Sequence, residues 1–136
     1  MKAESILLVD DDEATNFINQ LLIKRLGVVD ELHIAQNGKE AIEFIKNFSL
    51  SNTETAGAFP RLILLDINMP VMDGFSFLQA YNLLDFPGKE SVVIAVLTTS
   101  LNPRDAEKVK AWGVSDFLNK PLTQHVIQQL WAKHFN

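Results

Sequence analysis

The chain has 136 residues, of which 47% are hydrophobic and 21% charged, the size and balance of one soluble domain able to bury its own core. Seventeen acids against twelve bases leave a net charge of −5, which disfavours a binder of nucleic-acid phosphates. The absence of cysteine excludes disulfides, thiolate nucleophiles and Cys-type metal sites, and no apolar run approaches the ~20 residues of a membrane span. The expected setting is cytoplasmic.

Ser5–Val9 is a short apolar run that stops at three acids, Asp10-Asp11-Asp12. It reads as a strand buried on both faces. Apolar residues at 14, 17, 18, 21, 22 and 26 then follow helical spacing over Glu13–Leu26, with Gly27 as the stop. Glu31–Ala35 alternates as a second strand, Asn37-Gly38 signals a turn, and Lys39–Phe48 repeats as a second helix. Ser49–Pro60 has no periodicity and reads as a surface loop. Arg61–Leu65 resumes the strand pattern and ends in Asp66; Gly74–Leu84 is a third helix, closed by Pro87-Gly88. Val92–Leu97 is a β-branched strand ending in Thr98-Thr99-Ser100. Asn102-Pro103 opens a helix to Trp112, which Gly113 stops. Asp116–Asn119 is a last strand before Lys120-Pro121, and Thr123–Phe135 a last helix with Val126, Ile127, Leu130, Trp131 and His134 on one side. Five strands alternating with five helices predict an α/β fold: a doubly wound parallel sheet covered on both faces.

In such sheets ligands bind beyond the carboxyl ends of the strands. The conspicuous polar residues fall there: Asp10-Asp11, Asp66, Thr98 and Lys120. Three carboxylates at one rim repel each other; two unit charges ~5 Å apart at an effective dielectric near 20 cost ~3 kcal/mol. One lysine does not balance them, and oxygen-only donors suit Mg²⁺ or a similar hard cation. His33, His125 and His134 have no metal-cluster spacing. A hard cation, a carboxylate, a hydroxyl and an ammonium around one cavity are the parts that handle a phosphoryl group. Taken singly, each residue has a plainer reading. Acids after a strand are common helix N-caps, and Asp12 is read as one; a lone strand-end Thr98 or surface Lys120 needs no function, and residues 66–70 alone make a turn. Their joint occurrence in this order favours function.

The ordered set of Asp10-Asp11, D-I-N-M-P-V-M-D-G at Asp66–Gly74, L-T-T-S at Leu97–Ser100 and Lys120-Pro121 resembles the response-regulator receiver domain of two-component signalling, in particular single-domain, chemotaxis-type receivers. The resemblance runs from Ser5 to about His134, and the whole of 1–136 is expected to be one receiver domain. It implies the flavodoxin-like five-stranded sheet of order 2-1-3-4-5. It implies that Asp66 is the phosphoacceptor, that Asp11 binds Mg²⁺ directly and Asp10 mainly through water, and that the backbone carbonyl of Asn68 is a further ligand. Thr98 and Lys120 would then hold phosphoryl oxygens, Lys120-Pro121 would be cis, and Gly74 would allow close packing or a positive φ. Thr98 and Phe117 would form the switch, and the surface of the fourth helix, fifth strand and fifth helix would report it to a downstream effector. The phosphoryl donor would be a sensor histidine kinase or a histidine phosphotransfer protein. The product is a switch that assists its own phosphorylation and dephosphorylation, not an enzyme of metabolites.

Three consecutive acids leave the pair ambiguous by one residue; Asp10-Asp11 directly follow the strand. The Ser49–Pro60 loop is long for a receiver but is expected to lie away from the pocket. Asn68 and Ser100 flank the pocket as expected tuners of phosphoryl lifetime. A haloacid-dehalogenase-type phosphohydrolase shares the reactive groups. Its D-x-D-x-[TV] motif fails here, because Asp10-x-Asp12 is followed by Ala14, and its acid pair comes last in the chain. A flavodoxin shares the topology, but clustered acids would repel a flavin phosphate. Nothing in the sequence decides whether the last two helices make a homodimer.

Overall fold

Ile6–Val9, Leu62–Leu65 and Ile94–Leu97 are buried along their whole length, which requires cover on both faces of the sheet. In the computed structural model, which describes residues 3–51, 60–67, 69, 71–86, 89–99 and 103–135, the elements are β1 (Ala3–Val9), α1 (Glu13–Leu26), β2 (Val29–Ala35), α2 (Gly38–Ser51), β3 (Leu62–Leu65), α3 (Gly74–Leu83), a 3-10 turn at Lys89–Ser91, β4 (Val93–Thr98), α4 (Pro103–Ala111), β5 (Asp116–Asn119) and α5 (Gln124–His134). The strands pair in parallel in the order β2-β1-β3-β4-β5. This is the flavodoxin-like sheet that the sequence predicts.

The period of two along each central strand divides the core into two layers. Leu7, Val9, Ile63, Leu65, Ile94 and Val96 pack with Ile45, Phe77, Leu78 and Val109 from α2, α3 and α4. The intervening Ile6, Leu8, Leu62, Leu64, Ala95 and Leu97 pack with Ile23 of α1 and Ile127, Leu130 and Trp131 of α5. A strand covered on both faces has no polar side to show, which is why these runs are continuous rather than alternating.

The helix ends follow local chemistry. Asp12 caps α1, accepting from the Ala14 N–H at 3.1 Å and the Thr15 hydroxyl at 2.7 Å, and Gly27 ends it in the left-handed region at φ 66°. Asp73 caps α3 through the Ser76 N–H at 2.9 Å. Thr123 caps α5 through the Val126 N–H.

One boundary needs correction, and one buried face is not given by the spacing. The loop assigned to residues 49–60 begins later, because α2 continues through Ser51. Its last residues include no Gly or Pro, and a Ser in a helix is unfavourable by only a fraction of a kcal/mol. Residues 52–59 lie outside the described residues, as do Asn68, Ser100 and Asn102. The second concerns α1. The apolar spacing marks the helix correctly, but its buried stripe is Asn16, Asn19 and Ile23, while Phe17, Ile18 and Leu21 are 60%, 60% and 48% exposed.

Candidate functional site

The pocket is made where strand pairing runs out. Past the end of β1 the Asp10 N–H still donates to the Ala35 carbonyl on one flank, and the Asp66 N–H donates to the Val9 carbonyl on the other. The Lys120 N–H in turn donates to the Thr98 carbonyl. The sheet hydrogen bonds therefore hold the backbones of Asp10, Asp66 and Lys120 at one rim. Asp10, Asp66 and Thr98 are buried, and Asp11 is exposed. Carboxylate oxygens of Asp10, Asp11 and Asp66 all lie within 4.8 Å of one another. Lys120 Nζ reaches over them, donating to Asp10 Oδ2 at 2.7 Å and standing 3.5 Å from Asp66 Oδ2. The second Asp10 oxygen accepts from the Asp12 N–H at 3.0 Å.

Burial disfavours the charged form of Lys120, but the hydrogen bond and charge of Asp10, followed by those of Asp66, outweigh it and raise its pKa above the ordinary lysine value. The ammonium is thus protonated throughout the neutral range. One positive charge faces three carboxylates, so the cluster stays anionic. Three hard oxygen donors at this spacing, with no His or Cys among the described residues of the cluster, fit a Mg²⁺-like cation.

The stretch after β3 is shaped by two unusual backbone positions. Gly74 donates its N–H to the Ile67 carbonyl at 2.8 Å, and a Cβ there would stand 2.7 Å from Ile67 Cα and 2.8 Å from the Asp66 carbonyl oxygen. Only glycine lets α3 begin this close to the strand end that bears Asp66; of the two options the sequence left open for Gly74, the close approach is the one found. Val71 adopts φ 67°, a strained conformation for a β-branched residue. The Lys120-Pro121 peptide is cis. Phe117, on β5, is half-buried and packs against the layer that holds Phe75 and Trp112.

The structure thus brings Asp10, Asp11, Asp66, Thr98 and Lys120 to one edge. Reading the sequence left out Asn16, a buried amide on α1 whose Nδ2 donates to the Asp10 carbonyl at 2.8 Å. Its position among apolar neighbours in the helix gave no signal. A groove of about 300 Å³, bordered by Ile18, Leu97, Lys120 and Leu122, opens beside the pocket between α1 and the start of α5.

Compared with known proteins, residues 6–132 match the family model of the response regulator receiver domain. The chain is 35% identical to two-component response regulator 24 of Arabidopsis thaliana, over 86% of this chain and 73% of that protein. It is 36% identical to hybrid signal transduction histidine kinase B of Dictyostelium discoideum over 99% of its own length, yet it spans only 7% of that kinase. Among solved structures, a two-component response regulator from Cytophaga hutchinsonii superposes with a TM-score of 0.86 at 33% identity, covering 100% of this chain and 99% of the other. The chemotaxis protein CheY4 of Vibrio cholerae does so with a TM-score of 0.77 at 25% identity, covering 97% and 98%.

Proposed function

Because the chain belongs to the response regulator receiver domain family of two-component systems, we propose that it is a phosphoacceptor switch with Asp66 as the acceptor. The donor is a phosphohistidine on a sensor histidine kinase or a histidine phosphotransfer protein. An Asp66 carboxylate oxygen attacks phosphorus, a P–O bond forms, the P–N bond to imidazole breaks, and the imidazole leaves with a proton. The observation that carries this reading is the ammonium of Lys120 poised over Asp10 and Asp66. A cation already shared between two carboxylates can turn to a phosphoryl oxygen without crossing the pocket. Thr98, buried at the end of β4, would donate its hydroxyl to another oxygen.

The residues that would hold Mg²⁺ are Asp10, Asp11, Asp66 and the backbone carbonyl of Asn68. When bound, Mg²⁺ neutralises charge on the phosphoryl oxygens. Once Thr98 is drawn to the phosphoryl group, the room left behind β4 admits the Phe117 ring. Phe has no hydroxyl, so the two orientations differ by packing alone. A difference of ~1.4 kcal/mol moves their ratio tenfold, and the surface of α4, β5 and α5 presents the result to an effector protein. The same pocket would assist hydrolysis back to free Asp66. The setting proposed is cytoplasmic; no described helix is long and apolar enough to cross a membrane.

Incubation with acetyl phosphate and Mg²⁺ tests the reading. The parent chain should take up acid-labile phosphate. Asp66→Asn should show background labelling with an unchanged circular dichroism spectrum, and Asp11→Ala should lose the magnesium dependence. Labelling retained in Asp66→Asn overturns the assignment.

A further inference from the structure

The peptide unit joining Asp10 to Asp11 has two tasks, turning the first carboxylate inward to Lys120 and leaving the second exposed at the mouth of the pocket. A peptide is planar, so whatever holds its carbonyl sets the direction in which the chain leaves toward Asp11. Here a side chain holds it: Asn16 Nδ2 donates to the Asp10 carbonyl at 2.8 Å in a buried contact. Asn16 is 3% exposed on a helix whose Phe17 and Ile18 are 60% exposed. Burying an amide while leaving neighbouring apolar side chains in water opposes the transfer preference of both. The other amide atom, Oδ1, is buried and accepts no hydrogen bond from the described residues. Asn16 borders a void of about 10 Å³, lined also by Leu8, Asp10, Asn19, Asp66 and Leu97, close to the ~10–15 Å³ that one water needs.

We propose that Asn16 is a positioning residue for cation acceptance, and that the void takes one water molecule that donates to its Oδ1. The amide locks the Asp10–Asp11 peptide plane, and the water ties the same side chain to the floor of the acid pocket. This deepens the receiver reading and rests on it. Groups one step behind metal ligands commonly change metal affinity about 10- to 100-fold when removed. Asn16→Leu keeps the branched outline of the side chain, with methyl groups bulkier than the amide, and loses both hydrogen-bonding atoms.

Calorimetric titration of Mg²⁺ into the full chain is expected to give an affinity about tenfold weaker in Asn16→Leu than in the parent. In acetyl-phosphate labelling, the half-saturating Mg²⁺ should rise by the same factor while the rate at saturating Mg²⁺ is largely kept. A folded Asn16→Leu that binds Mg²⁺ within twofold of the parent overturns the proposal, whatever its melting temperature. If Asn16→Leu does not fold, Asn16→Ser carries the same measurement and the same criterion. A parent chain that takes up no Mg²⁺ and no label overturns the receiver reading instead, so the two failures are separable.

Discussion

Tyr81 shows how one misplaced polar atom makes stability depend on pH. Its ring is buried among aromatics, centroids 5.8 Å from Phe77 and 6.0 Å from Phe86, while its hydroxyl is buried without a partner among the described residues. Burial pushes the phenol from 10.0 up to about 12. With the folded pKa above the unfolded one, the group's contribution is complete below about pH 10 and is lost as pH rises through about 12. Tyr81→Phe keeps the ring and removes both the orphan hydroxyl and the titration. Denaturant unfolding should find the variant ~1 kcal/mol more stable near neutral pH, since an unmade buried hydrogen bond costs ~1–3 kcal/mol. Its advantage should widen above about pH 10. A parent chain equal in stability to the variant at both pH values would show that the hydroxyl finds a partner.

At the scale of elements, the sequence reads well where one local rule suffices. Asp12 before α1, Gly27 after it and Thr123 before α5 announce those ends because a cap needs only its own turn. The end of α2 at Ser51 carries no local signal, because Ser and Leu before residue 52 neither break nor require a helix. Gly74 belongs here too: its need for no side chain comes from β3 ending against the start of α3, although the residue stands in a legible motif. Gly74→Ala should lower stability by roughly 1–3 kcal/mol, the usual range for overpacking. The Cβ would press on the backbone of Ile67 and Asp66 rather than on a side chain free to turn. Labelling of Asp66 should fall more than the loss of folded protein explains. An alanine variant with parental melting and labelling would contradict that geometry.

Across the whole molecule, α5 works as a strap. Trp131 Nε1 donates to the Val28 carbonyl at 3.0 Å, tying α5 to the α1–β2 connection. At β5, Asp116 accepts from Lys133 at 2.8 Å and pairs with His134 at 2.7 Å. Burial alone would raise the Asp116 pKa, but the hydrogen bonds and charges of Lys133 and His134 bring it below the ordinary 3.8. The sign is opposite to that of Tyr81: this contribution is present above the unfolded pKa and disappears as pH falls through the depressed one. Asp116→Asn should therefore cost ~1 kcal/mol near pH 6, a figure in keeping with partly exposed pairs. The difference should vanish as the pH falls below the depressed pKa of Asp116. A gap that persists in acid would mean that packing, not charge, joins β5 to α5.

The sequence by itself determined the sheet and the rim of the pocket. Apolar runs ended by Asp10, Asp66 and Thr98 state both where strands lie and what stands at their carboxyl ends, because burial on two faces excludes polar residues until the strand stops. Only the tertiary structure decided which side of α1 faces inward and what Lys120 pairs with. Helical periodicity marks a helix but not its buried stripe when polar and apolar stripes overlap. Asn16 goes inside because the Asp10 carbonyl, left without a strand partner, accepts its amide. Lys120 and Asp10 are 110 residues apart in the chain, and their meeting depends on β1 and β5 ending at one level of a folded sheet.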